Sequence, residues 1–213
     1  MACYFQYGEK EIAHLTARDK RLAAVIKDLG PVRREVMPDL FEALIHAIVG
    51  QQIATRAQQT IWARMRAGLG AITPQAIHAA READLQAFGL SFRKVAYMKA
   101  AAARALSGEL DMEALRALPD DALCAELSRL PGVGVWTAEM LMTFSLQRPN
   151  VISYGDLAIR RGLRMLYRHR VIDRARFEKY RRRYAPYATV ASLYLWAVAG
   201  GAVAGLSDPA SGK

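Results

Sequence analysis

Apolar side chains recur at i, i+3, i+4 and i+7 in segment after segment of this chain, and no stretch sustains the two-residue alternation of a half-buried strand. That period predicts packed helices and an all-α fold. Phe41, Leu44, Ile45, Ile48 and Val49 form one stripe ending at Gly50-Gln51-Gln52, and a second helix carries Ile61, Trp62 and Met65 before the Gly68/Gly70 break. Trp62 is assigned to the core. Thr73-Pro74 reads as an N-cap followed by proline at the first helical position, and Asp111 and Asp120-Asp121 offer further caps. Between caps the helices should run to about 10–18 residues. With 213 residues, the chain fits one globular domain or two small lobes with a shared core.

Charge narrows the partners. Thirty Lys and Arg against 20 Asp and Glu leave a formal charge of +10, and 53% hydrophobic residues exclude intrinsic disorder. Such an excess favours a polyanion, either nucleic acid or an anionic membrane surface. From Arg148 to Tyr184, twelve basic residues face three acidic ones, so this one stretch holds +9 of the total. Arg160, Arg164 and Arg168 repeat every fourth place, and a helix would set them on one face, free of carboxylates and able to follow a phosphate backbone. A merely solvated surface is the plainer alternative.

Cys3 and Cys124 are far apart, with no C-x-x-C and no nearby His, which argues against a disulfide scaffold, a metal site or an iron–sulfur cluster. Glu9 and Lys10 fall where a leader would need an apolar core, so a reducing cytoplasm is expected, next to the nucleoid in a bacterium. The chargeless run Val190–Leu206 falls short of the roughly 18 apolar residues of a spanning helix and reads as a buried helix, with no membrane partner.

The most informative stretch is Asp121–Leu146. A helix bearing Leu123, Leu127 and Leu130 runs into Pro131-Gly132-Val133-Gly134, and a second helix starts at once, with Met140, Leu141 and Phe144 on its inner side. Gly132 and Gly134 allow a sharp turn and a close approach to a ligand. The helix that follows presents unpaired N–H groups and the positive end of its dipole to a phosphate.

Leu130–Gly134, followed some twenty residues later by Tyr154-Gly155-Asp156-Leu157, resembles the helix–hairpin–helix DNA glycosylase superfamily, in which an L-P-G-[VI]-G hairpin precedes an aspartate at a helix start. The resemblance runs from about Phe41–Gln52 through Trp196 and is strongest to the DNA-3-methyladenine glycosylase II branch. Trp136 stands where bifunctional relatives place a Schiff-base lysine, the iron–sulfur cysteines of other branches are missing, and Tyr184-Ala185-Pro186-Tyr187 with Tyr194-Leu195-Trp196 is similar to the alkylation branch's C-terminal signature.

The resemblance implies a two-lobed fold. Lobe one would span about residues 51–147 with the hairpin, lobe two would join 1–50 to 148–213, and double-stranded DNA carrying damaged bases would bind the cleft between them. It further implies that a monomer flips an alkylated purine out of the duplex and hydrolyses its N-glycosidic bond. Asp156 would be the catalytic carboxylate, with a plain N-cap as the alternative role. Trp136, Trp196, Met140 and Tyr154 would line the base pocket, although either tryptophan taken alone reads as core. Gln52 or Ile53 would fill the gap in the duplex. Gly132, Gly134, Arg160 and Arg164 would meet the DNA backbone. No cofactor is implied, and the hairpin is a position that a monovalent cation could occupy. Met140, Leu157, Ala158 and Ala197 depart from the family's more aromatic pattern, and Ala54 stands where relatives have Ser. A helix–hairpin–helix protein that binds damaged sites without catalysis remains the alternative.

Overall fold

The computed structural model describes residues 3–210; Met1, Ala2 and residues 211–213, counted above in the N-terminus and the second lobe, lie outside the described residues. The chain divides into two compact units, Met1–Val36 with Gln147–Lys213 (unit 1) and Met37–Leu146 (unit 2).

Unit 1 opens with β1 (Cys3–Tyr4), α1 (Glu9–Arg18), α2 (Lys20–Leu29) and β2 (Glu35–Val36). The strands pair antiparallel, Cys3 opposite Val36 and Tyr4 opposite Glu35. Two residues are too short for a period to be read, so sequence pattern misses them. Unit 2 holds α3 (Leu40–Gly50), α4 (Thr55–Leu69), α5 (Pro74–Ala79), α6 (Glu82–Ala87), α7 (Phe92–Leu106), α8 (Met112–Ala117), α9 (Asp120–Ser128) and α10 (Val135–Phe144). The chain then returns to unit 1 with α11 (Leu157–Tyr167), α12 (Arg174–Tyr184) and α13 (Ala188–Ala199).

The division falls before α3, not after it as the two-lobe expectation had it. Leu40, Phe41, Leu44, Ile45, Ile48 and Val49 are all buried, and α3 packs on α4, α7 and α10, so its apolar stripe draws it into unit 2. Thr73 caps α5, accepting from the Ala76 amide at 3.2 Å, and Asp111 caps α8. Asp120 and Asp121 instead lie inside the first turn of α9, where a carboxylate favours the helix dipole. Three helices of six residues, α5, α6 and α8, undercut the expected length. Trp62 is half-buried, edge-on to His46 at 4.8 Å.

The apolar run near the C-terminus resolves into α13, buried along ten of its twelve residues. Among the described residues no helix is long and apolar enough to cross a membrane. Within unit 1, α13 lies against α11 so closely that a Cβ at Gly162 would overlap the Leu195 carbonyl oxygen. The buried Asp19 caps α2 by accepting from the Arg21 and Leu22 amides at 3.0 Å, and its other oxygen accepts from Tyr167 Oη at 2.6 Å and Arg183 at 2.7 Å. Burial works to raise this carboxyl, and the hydrogen bonds from Tyr167, the Leu22 amide and Arg183 outweigh it, holding Asp19 below the usual aspartate range.

Candidate active site

In unit 1 the irregular segment that follows α10 descends into the core: Val151, Ile152 and Ser153 are buried, and Asp156 ends the segment at 7% exposure. Asp156 has the extended backbone of an N-cap, and its Oδ1 accepts from the Ile159 amide at 2.9 Å. The same oxygen accepts from the indole Nε1 of Trp196, on α13, at 3.2 Å. The sequence places Trp196 among the pocket walls; the structure adds that its N–H is committed to the carboxylate. Tyr154 is half-buried, edge-on to Phe177 at 5.2 Å, with the guanidinium groups of Arg160 and Arg174 stacked over its ring at 5.1 and 5.0 Å. Arg160 thus packs back beside the segment that carries Asp156.

The arginine stripe of α11 is not the carboxylate-free face anticipated from sequence. Asp208, from the chain beyond α13, accepts from Arg164 Nε at 2.8 Å and from its Nη2, and it lies 3.8 Å from Arg161. The side-chain hydrogen bonds from Arg164 hold the Asp208 carboxyl below its usual range. The partner is 44 residues away from Arg164, outside the window in which charges were counted. Arg168 has left the helix, closing α11 in the left-handed conformation at φ 57°.

Unit 2 builds the hairpin. Gly132 adopts φ +81°, and a Cβ there would overlap the Tyr97 ring. Gly134 begins α10 without a side-chain cap, and a Cβ on it would meet nothing within 4 Å. Fold therefore accounts for the first glycine, while the second leaves the start of α10 open and uncapped by a side chain. Val135 and Trp136 open α10 at 59% and 49% exposure, with Met140 half-buried one turn on.

Gln51, between the two expected wedge residues and α3, donates from Nε2 to the Gly132 carbonyl at 2.6 Å, tying the wedge loop to the hairpin. Gln52 follows in the left-handed region at φ 55° and is exposed, and Ile53 is 36% exposed. Lys94 donates to the Val49 carbonyl at 2.7 Å and so caps the end of α3; burial lowers its ammonium. Lys94, Arg93, Tyr97, Gln51, Gln52 and Gly132 surround a polar pocket of about 250 Å³. Sequence reasoning missed Arg93, Lys94 and Tyr97, since no local pattern links the start of α7 to a loop more than 40 residues earlier. Among the described residues no group of three or more His, Cys, Asp or Glu could hold a metal ion.

A helix–hairpin–helix with an open N-terminus, carried on an all-α chain together with a carboxylate capping a buried helix start, defines a base-excision architecture. Residues 45–186 match the HhH-GPD superfamily of base excision DNA repair proteins, and the chain belongs to that family. It is 33% identical over 191 residues to DNA-3-methyladenine glycosylase 1 of Schizosaccharomyces pombe, covering 86% of this chain and 84% of the relative. Among solved structures, DNA-3-methyladenine glycosidase from Bacillus halodurans aligns with a TM-score of 0.83 and 34% identity over 93% of each chain. The S. pombe 3-methyladenine DNA glycosylase in complex with abasic DNA aligns with a TM-score of 0.78 and 29% identity, over 93% of this chain and all of that one.

Proposed function

We infer that the chain is a DNA glycosylase of base excision repair that removes alkylated purines of the 3-methyladenine and 7-methylguanine type from double-stranded DNA. The observation that carries this reading is the Asp156 carboxylate, oriented by the Ile159 amide and the Trp196 indole in a chain whose relatives are named as alkylbase glycosylases.

Binding rests on groups that read no sequence, the amides at the start of α10 and the basic surface. Gln52 or Ile53 occupies the space left by the flipped nucleotide. An alkylated purine is cationic, so an indole face such as that of Trp196, whose N–H meets Asp156, attracts it, and the same charge makes it a good leaving group. As the C1′–N bond breaks, its electron pair leaves with the base, and positive charge builds on the sugar. Asp156 stabilises that charge. Water adds its oxygen to C1′ and releases a proton, leaving an abasic site and an intact strand. Trp136, in place of a lysine, offers no amine for a Schiff base, so the reaction is hydrolysis alone.

Incubation with alkylated duplex DNA, followed by chromatography of the released bases, tests the reading. Methylated purines should appear, and strands should break only after heat or alkali. Absence of released base overturns the glycosylase assignment, and nicking without alkali overturns the monofunctional one.

A further inference from the structure

The segment that carries Asp156 has no secondary structure of its own between Arg148 and Ser153, so its buried backbone groups must find partners elsewhere. Four backbone groups of residues 148–151 find them on a single helix. Thr189, in the first turn of α13, accepts the Val151 N–H on its Oγ1 at 2.8 Å and donates that hydroxyl to the Arg148 carbonyl at 2.5 Å. Its own amide, one of those a helix start leaves unpaired, donates to the Pro149 carbonyl at 3.0 Å. One turn on, the Ser192 hydroxyl lies 2.9 Å from the Ala188 carbonyl of its own helix and 3.2 Å from the Val151 carbonyl, and is shared between them. Both residues are fully buried.

Thr189, Ser192 and Trp196 stand at i, i+3 and i+7, so one face of α13 grips both ends of the segment, the backbone at 148–151 and the carboxylate at 156. Beside this face, the Leu195 carbonyl of α13 approaches α11 so closely at Gly162 that a Cβ there would overlap it. Apolar packing alone would not ask for hydroxyls here: a valine at 189 and an alanine at 192 would fill the core without the three hydroxyl bonds to an irregular segment.

We propose that Thr189 is a positioning residue for base release, holding the 148–151 segment so that Asp156 meets the sugar in one fixed orientation, with Ser192 as its weaker companion. The proposal rests on the reading of Asp156 as the carboxylate that stabilises the sugar cation. Misplacement of a reacting group by about 1 Å costs on the order of a hundredfold, so loss of the two hydroxyl bonds should lower the chemical step by about ten- to a hundredfold and leave DNA binding alone.

The test uses the full chain and a duplex with one 7-methylguanine, with single-turnover rates at saturating enzyme, affinity for an abasic-site duplex, and melting temperature measured on each variant. Thr189→Val should slow base release about ten- to a hundredfold with affinity within about threefold of wild type, and Thr189→Ser should restore the rate. Combined with Asp156→Asn, Thr189→Val should add nothing further, because it acts through the carboxylate. Should Thr189→Val not accumulate as folded protein, Ser192→Ala, which removes the bond to the Val151 carbonyl, carries the same comparison with a smaller loss. A folded Thr189→Val with the wild-type rate, a loss matched in DNA affinity, or a double variant slower by the product of the two single losses overturns the proposal. Full activity of Asp156→Asn alone is the distinct result that overturns the reading beneath it.

Discussion

Asp156 serves two masters with one atom. Its Oδ1 holds the start of α11 through the Ile159 amide and is itself held by the Trp196 indole. Asn caps a helix about as well as Asp and offers the same acceptor oxygen, so Asp156→Asn should melt within a few degrees of wild type. What it lacks is the negative charge. Base release should fall by roughly a hundredfold or more, as when other electrostatic stabilisers are removed, while DNA affinity holds or rises because an anion that would repel phosphate is gone. A normal melting temperature with undiminished base release would falsify the catalytic role. The capping half of this role is legible in sequence, since Tyr154-Gly155-Asp156 precedes an apolar helical stripe. The Trp196 bond is not, because 40 residues separate donor from acceptor and only the packing of α13 on α11 brings them together.

The hairpin and α11 respond to substitution for different reasons. Gly134→Ala meets open space, so the protein should fold normally and bind damaged and undamaged duplexes more weakly alike, as fluorescence anisotropy would show. Gly132→Ala meets the Tyr97 ring at a positive φ, and its first effect should be a lowered melting temperature, by a destabilisation of about 1 kcal/mol or more. Equal stability of the two variants would contradict this division. On α11, Arg164 is already engaged by Asp208, so Arg164→Ala should leave the salt dependence of DNA binding unchanged, whereas an arginine on phosphate would reduce the slope by about one. The helices that sequence predicts best are those with two or more turns of stripe, α3 above all. Pairings that close over long separations, Arg164 with Asp208 and Gln51 with Gly132, leave no trace in local pattern.

Across the whole chain, two aspartates of unit 1 couple the fold to acid. Asp208 sits below the ordinary aspartate range because Arg164 bonds it, and Asp19 does so because three hydrogen bonds outweigh its burial. A carboxyl depressed in the folded state takes up protons on unfolding. Its contribution is therefore complete above about pH 4 and is lost as pH falls through the lowered value. Urea midpoints should drop as pH falls below about 4, and Asp208→Asn should drop less steeply in that window. A parallel fall in wild type and variant would show that Asp208 contributes nothing there.

The division of the chain also sets an order of events at the ribosome. Residues 37–146 are contiguous, so every part of the hairpin unit has been translated before Asp156 is added. The carboxylate's own unit must join the first 36 residues to the last 67, and α13, which grips the 148–156 segment, is its final helix. A nascent chain can thus complete its phosphate-binding turn before it can cut, and a product truncated between residues 157 and 188 would retain the hairpin and lack the clamp on its carboxylate.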